Sequence, residues 1–462
     1  MKQLNLTFLL LVTFCYSTIA QTKVELLDSL FTNLYNHGKF NGNVLVAEEG
    51  KPIFEKSYGK AEEQSGRLLT TESVFELASV SKQFTAMGIV LLQKQGKLKY
   101  DDLLSKYIPE LHFYGPITIR HLLHHTAGLP DYMDVMDEHW DKTKIATNDD
   151  VIKTFARLQP KVVFAPNEKY EYSNTGYMLL GSIIERVSKK TYGVYLDKFI
   201  FKPLQMNHTL VYRSRFQPHK IENYALGYEQ DSTGKKVLPD SYGKAYYSYF
   251  LDGIVGDGMV NSNLEDLLRW DQALYTDKLV NQTDKEQIFN GTTTLDGKKT
   301  TYGFGWMIKN SDKYGKIVNH SGSWAGYVTF IERHLDHQKT FIALQNNYMR
   351  RIKIPSAEVR KILYGEKVEI ESYKPIQVTS QSLEKYEGVY TSADLPFKIK
   401  IYIKDGSLYG HAQAEKQRPF KLDAFENQVF LCEDANIKMI FNPESHTMDY
   451  TQGAKKLLFT KD

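Results

Sequence analysis

The sequence predicts an α+β protein: an antiparallel sheet flanked by helices and interrupted by a helical insertion, followed by a small C-terminal all-β barrel or sandwich. Three observations lead there. Strand-like segments fall into two distant groups. Asn43 to Ala47 and Pro52 to Tyr58 form the first; Tyr302 to Ile308, Ile317 to His320, Tyr327 to Arg333 and Thr340 to Gln345 form the second. The chain between them is mostly helical and loop-rich, so the simplest sheet pairs strands from both ends of one domain. Beyond Pro375 the period changes, and short strand signals follow one another without a helix.

The first twenty residues differ from the rest. Lys2 supplies a positive start, Phe8 to Phe14 is apolar, and Thr18-Ile19-Ala20 places small residues before Gln21, the pattern of a secretory signal peptide. Leu4 to Ile19 is shorter than the roughly 20 residues a bilayer span requires. Residues 1–20 are therefore expected to be removed, leaving a secreted or periplasmic chain without stable membrane insertion. Phe14 stands before Cys15 where lipoprotein processing needs a small residue. Cys432 would then be the remaining thiol, which an oxidising compartment tolerates.

Residues 21–365 read as one domain. Val24, Leu27, Leu30, Phe31 and Leu34 recur at helical spacing until Gly38. Glu49-Gly50 turns between the first two strands, and Ser356 to Leu363 is helix-like. Residues 366–380 are polar and unpatterned and read as a linker. Within 381–462, Phe397 to Lys404 alternates strictly and Asp405-Gly406 makes a hairpin turn before Ser407. Strand signals continue at Phe420 to Leu422, Val429 to Cys432, Lys438 to Phe441, Thr447 to Tyr450 and Lys456 to Phe459.

Composition narrows the function. Fifty-eight Lys and Arg against 55 Asp and Glu leave +3, so bulk charge points to no nucleic-acid partner. Two cysteines exclude a disulfide scaffold and a Cys-rich zinc module. His121 and His125 stand at i and i+4, but no third ligand appears at metal spacing, so neither metal nor cofactor is expected. The 31 tyrosines exceed what a core needs. Tyr224, Tyr228, Tyr242, Tyr246, Tyr247 and Tyr249 could wall a cleft or simply pack together. Asp131 to Asp141 reads as a solvated acidic loop.

The sharpest local feature is Ser79-Val80-Ser81-Lys82, followed by Phe84 to Leu92, apolar nearly all round like a buried helix. Ser79 then sits at the helix N-terminus and Lys82 one turn on, on the same face. A serine hydroxyl needs a base to become a nucleophile. A lysine amine can serve if desolvation lowers its pKa from about 10.4. Tyr172-Ser173-Asn174 precedes a second apolar helix, Met178 to Ile184, and His320-Ser321-Gly322-Ser323 follows a strand signal.

Three motifs in this order and spacing resemble the serine β-lactamase and penicillin-binding superfamily, in its class C β-lactamase, DD-peptidase and D-aminopeptidase branch. His124 to Asp131 and Gly256 to Val260 resemble further recurrent segments, and the likeness runs from about residue 25 to about residue 350. The resemblance implies a serine hydrolase acting through a Ser79 acyl-enzyme on amide or ester bonds: D-amino-acid peptides, small esters or, more weakly, β-lactams. It makes Lys82 or Tyr172 the general base, with Tyr172 shuttling the proton to the leaving group. Asn174 would bind the substrate amide, and the Ser79 and Ser323 backbone amides would form an oxyanion hole. Gly322 would let substrate approach the strand closely. His320 stands where β-lactamases usually carry lysine. A histidine of pKa about 6.5 would read a substrate carboxylate only as it charges. A true β-lactamase and a penicillin sensor that acylates and stops are the alternatives. The tail from Leu383 resembles a lipocalin-like β domain, a candidate cover for the active-site mouth, site of self-association or stabilising appendage.

Overall fold

The computed structural model describes residues 22–349, 352–368, 370, 376–413, 418–432, 435, 437–452 and 455–462. The expected signal peptide and part of the expected linker lie outside these. The chain divides into two compact units: Phe40–Val368 with the residues up to Tyr35, and Glu369–Asp462 with Asn36–Lys39.

The first unit is built on a six-stranded antiparallel sheet. Its strands are β1 (Gly42–Glu48), β2 (Lys51–Tyr58), β3 (Met307–Ser311), β4 (Gly315–Trp324), β5 (Tyr327–His334) and β6 (Lys339–Gln345), in the order β2-β1-β6-β5-β4-β3. The two sequence groups meet where β1 pairs with β6, Val44 opposite Ala343. β1 is buried from Gly42 to Ala47, apolar but for Asn43, whose Nδ2 donates to the Thr70 carbonyl at 2.6 Å. One face is covered by α1 (residues 22–36), whose Phe31 ring packs on Phe54 and Phe341. The other meets the helical insertion, where Leu45, Ile331 and Ile342 join one core with Phe84, Ile183 and Trp270.

Two helices of that insertion position the site. α2 (Lys82–Lys94) is buried nearly all round, from Lys82 through Leu92 with Leu91 partly exposed. Gly88 brings it against α3 (Asn174–Ser188), since a Cβ there would lie 2.7 Å from the Ile184 Cδ1. Two expectations are corrected here. Tyr302 to Trp306 does not continue β3: Gly305 turns the chain at φ +78°, so Tyr302 folds back to make a single antiparallel bridge with Met307, where the strand starts. Asp131 to Asp141 is no solvated loop. Asp131 caps a helix, Tyr132–His139, by accepting a hydrogen bond from the Met133 N–H, and Tyr132 and Met136 are buried.

The second unit contains a closed eight-stranded barrel. Its strands are Gly388–Thr391, Ile399–Lys404, Ser407–Ala412, Phe420–Phe425, Val429–Cys432, Ile437–Asn442, Thr447–Gln452 and Lys455–Lys461. Asp405 and Gly406 both take positive φ, 47° and 71°, the backbone a two-residue hairpin demands. Pairing of Tyr390 with Lys461 closes the barrel. Tyr386, Phe430 and Phe441 pack ring against ring, and Met439, Met448 and Phe459 are buried beside them, with Cys432 in the same core.

Arg333 ties sheet to helix in the first unit. Fully buried on β5, it donates from Nε to Asp271 Oδ1 and from Nη2 to the Asp271 carbonyl at 3.0 Å. Asp271 Oδ2 accepts from the Thr340 hydroxyl on β6 at 2.9 Å. The Arg333→Met variant leaves the buried Asp271 without its cation. We expect it to lose about 3–5 kcal/mol of unfolding free energy, while a double variant with Asp271→Leu recovers much of that, both read by urea denaturation.

Candidate active site

The turn before α2 carries Ser79. The short strand Phe75–Glu76 leads into a single 3₁₀ turn, Ala78–Ser81, which runs directly into α2. Ala78 sits at φ +49°, a left-handed conformation that a residue with a Cβ adopts only when its surroundings enforce it. Those surroundings are visible. Leu77 N–H donates to Val260 O at 2.9 Å, Val260 N–H donates to the Ser81 hydroxyl at 3.0 Å, and the Thr329 hydroxyl donates to Leu77 O at 2.6 Å. Ser79 is left half-exposed at the floor of a cleft of about 490 Å³.

Lys82 lies beneath it with no exposed surface. Its Nζ is 3.0 Å from Ser79 Oγ, 3.0 Å from Asn174 Oδ1 and 2.9 Å from the Asp257 carbonyl oxygen. The last two groups only accept. In its neutral form an amine has two N–H groups and one lone pair, so these acceptors then direct the lone pair at the Ser79 hydroxyl; in the charged form the third N–H meets that oxygen. Asn174 thus holds Lys82, while its own Nδ2 donates to Asp131 Oδ2 at 3.2 Å. Asp257 is fixed in turn by the Tyr132 hydroxyl, 2.9 Å from Oδ2, and burial raises its carboxyl above the usual range.

Tyr172 borders the same cleft, its ring centroid 5.0 Å from Lys82 Nζ and 4.3 Å from the His125 ring. No group hydrogen-bonds its buried hydroxyl among the described residues. His125 is the pillar beneath it. Its Nδ1 accepts from the Ser173 N–H at 3.1 Å, and burial, with Lys82 and His320 nearby, holds the ring neutral far below its ordinary value. His121, the expected i, i+4 companion, instead caps a helix start by accepting from the Thr118 N–H.

β4 forms the opposite wall. It pairs with β3 only as far as Asn319, so from His320 to Trp324 its outer edge is left uncovered by β3, and Ser321 and Ser323 line the cleft. Gly322 sits between them for a different reason from the expected one. A Cβ there would meet Leu77 O at 2.2 Å and Ala78 Cβ at 3.2 Å, so the glycine lets the strand approach the Ser79 turn rather than the substrate.

His320 requires the largest correction. Its Nδ1 lies 2.7 Å from the Ser321 carbonyl and its Nε2 2.8 Å from the Tyr302 hydroxyl. The carbonyl only accepts, so Nδ1 carries the hydrogen and Nε2 accepts from Tyr302. Neither nitrogen is left for a substrate carboxylate. Burial and the Lys82 charge lower the ring to about 3, so it does not charge near 6.5.

The cleft thus brings Ser79, Tyr172, Asn174, His320 and Ser323 together, with Lys82 below and Gly322 behind. Of the six clustered tyrosines, Tyr247 reaches the cleft, packed edge-on against Trp324 at 5.0 Å. Asp257, His125 and Tyr302 were missed as site residues. The first two lie in the Gly256 to Val260 and His124 to Asp131 segments that the sequence had marked, whereas Tyr302 carries no local signal.

The family model described as Beta-lactamase matches residues 27–350. Penicillin-binding protein 4* of Bacillus subtilis (strain 168) is 38% identical over 451 residues, spanning 96% of this chain and 97% of that protein. The octameric penicillin-binding protein homologue from Pyrococcus abyssi aligns with a TM-score of 0.67 at 23% identity, over 94% of this chain and 99% of that one. D-amino acid amidase from Ochrobactrum anthropi SV3 gives 0.60 at 24% identity, over 73% and 98%. These two structures share the fold.

The His320 geometry has a measurable consequence. Its folded value lies below the unfolded one near 6.5, so unfolding takes up a proton. The stability this contributes is complete above about pH 6.5 and is lost as pH falls toward 3, at about 1.4 kcal/mol per unit. The ring resonances, assigned by their absence in His320→Gln, should show the Nδ1–H tautomer and no titration between pH 5 and 8. A titration midpoint near 6.5 would overturn the reading.

Proposed function

Because the chain belongs to the Beta-lactamase family, whose members are generally serine hydrolases, we propose that it is an exported enzyme forming an acyl-enzyme on Ser79 with amide or ester substrates. The observation that carries this reading is the contact between Lys82 Nζ and Ser79 Oγ at 3.0 Å, with the other two partners of Nζ both acceptors. Ser79 Oγ attacks the scissile carbonyl carbon, and its proton passes to Lys82 Nζ. The carbonyl oxygen takes up negative charge and is received by the Ser79 and Ser323 backbone amides. As the bond to the leaving group breaks, a proton is returned to the departing nitrogen or oxygen through Tyr172, whose hydroxyl is committed to no other group among the described residues. Water then attacks the ester carbon and frees Ser79, with the same groups running in reverse.

Two features favour D-amino-acid amides or peptides and small esters over β-lactams. His320 offers no cation to a substrate carboxylate, and among the described residues no lysine or arginine lines the cleft. Export is proposed from Lys2, the apolar run Phe8 to Phe14 and the small residues before Gln21.

The test uses purified protein, a fluorophosphonate probe, a short-chain nitrophenyl ester, D-amino-acid amides and a fluorescent penicillin. Ser79→Ala should abolish labelling and turnover. Lys82→Ala should slow both by about 10²–10⁴-fold, with the fold checked by circular dichroism. Undiminished hydrolysis by folded Ser79→Ala would falsify the assignment, and stable penicillin labelling without turnover of any substrate would make the protein a sensor.

A further inference from the structure

One carboxyl in the cleft has no task in the chemistry above. Glu76 stands three residues before Ser79, so their Cα atoms are at most about 11 Å apart, and both side chains line the same cavity. Glu76 is only 8% exposed, yet its carboxyl has no hydrogen-bond or ion-pair partner among the described residues. The groups around it do not supply a partner, and its carboxyl is open to the cleft. Arg215 is committed to Asp240 and Asp252. The Tyr327 hydroxyl donates to the Ala225 carbonyl at 2.7 Å and also meets the Tyr224 hydroxyl. Asp257 faces the same cavity and carries a carboxyl of its own, held by Tyr132.

The cleft therefore has an acidic end, with Glu76 and Asp257 on its wall, no Lys or Arg among the described lining residues, and a neutral His320. Apolar side chains also line it: Met133, Leu251, Ile254, Met259, Tyr247 and Trp324. We infer that Glu76 is a specificity-determining residue that receives a protonated amine, so that the preferred substrate carries an ammonium a few bonds from its scissile carbonyl and an apolar side chain beside it. The inference rests on the acyl-enzyme reading above and adds the substrate's charge to it. Burial and the carboxyls of Asp252 and Asp257 raise Glu76 to about 8, against the opposing charge of Arg215. The empty site thus keeps its proton at neutral pH, which explains how an unpaired carboxyl is tolerated there. An arriving ammonium supplies the missing partner, and the carboxyl proton leaves to solvent. A carboxylate at the same place would meet two carboxyls, while the nearby Arg215 is already committed to Asp240 and Asp252.

The experiment compares phenylalanine 4-nitroanilide, of each hand, with its des-amino counterpart 3-phenylpropionyl 4-nitroanilide, which differs only in lacking the amine. In the wild type at pH 7 the specificity constant should favour the amine by at least tenfold for one hand. In Glu76→Gln, which keeps the shape and removes the charge, that ratio should fall at least tenfold. A second readout needs no variant: phenethylamine should protect Ser79 from fluorophosphonate labelling at a concentration at least tenfold lower than 2-phenylethanol. A wild-type ratio of one or less, a ratio unchanged in folded Glu76→Gln, or equal protection by amine and alcohol each overturns the inference while Ser79 labelling stands. Loss of specific Ser79 labelling in the wild type would instead bring down the acyl-enzyme reading, and this inference with it.

Discussion

Everything at this site depends on one buried amine. Lys82 has no exposed surface, and such a group is tolerated only where each of its hydrogen-bonding positions is answered. The answers come from three stretches of chain: Ser79 on its own turn, Asn174 at the start of α3, and the Asp257 backbone. Those stretches are separated by 92 and 175 residues, so the helical insertion must fold against α2 before the nucleophile has its neighbour. Gly88 serves that requirement by letting α3 approach α2 closely. Asn148 serves it as well, donating from Nδ2 to the Met178 and Val255 carbonyls and holding α3 to the segment that leads into Asp257.

The sheet supplies the other half. β1 and β2 come from one end of the first unit and β3 to β6 from the other. The pairing of β1 with β6 sets the register, and through β5 it fixes where β4 passes the Ser79 turn. The approach is as close as backbones allow, which is why Gly322 occupies the crossing and Thr329, directly opposite it, donates to Leu77 O. The strained φ of Ala78 is held by these contacts. The strain is thus a product of the tertiary fold, not of the local sequence.

That distinction explains what could be read in advance. Ser79, Lys82, Tyr172 and Asn174 were legible because each lies beside an apolar helix whose period marks it as buried, so a polar residue there needs a purpose. The barrel was legible because strict alternation and an Asp-Gly turn are local signals. His320 was legible as a site residue and misread in its role: one letter says that an imidazole is present, but its charge depends on Tyr302 and the Ser321 carbonyl, and the former lies 18 positions away. Gly322 was misread similarly, since sequence cannot tell which neighbour presses on a glycine. Asp131 to Asp141 looked solvated because five of its eleven residues are acidic. The buried pair Tyr132 and Met136, at i and i+4, was the helical signal hidden among them.

The aromatic surroundings of the site follow from the same buried amine. His125 and His320 both lie near Lys82, and its charge helps to lower each of them. Either imidazole could in principle take a proton from Ser79 and divert the chemistry. Neither has a free lone pair: the Nδ1 of His125 is occupied by the Ser173 N–H, and the Nε2 of His320 by the Tyr302 hydroxyl. Tyr302 joins the two rings, its own ring 4.4 Å from His125 and 5.7 Å from His320. The stack is therefore a neutral wall with its acceptors filled, and burial makes charging it costly. Of the basic nitrogens around Ser79, the one within hydrogen-bond reach of Oγ among the described residues is Lys82 Nζ. The histidines shape the cleft and support Tyr172, and they leave the proton transfer to the lysine.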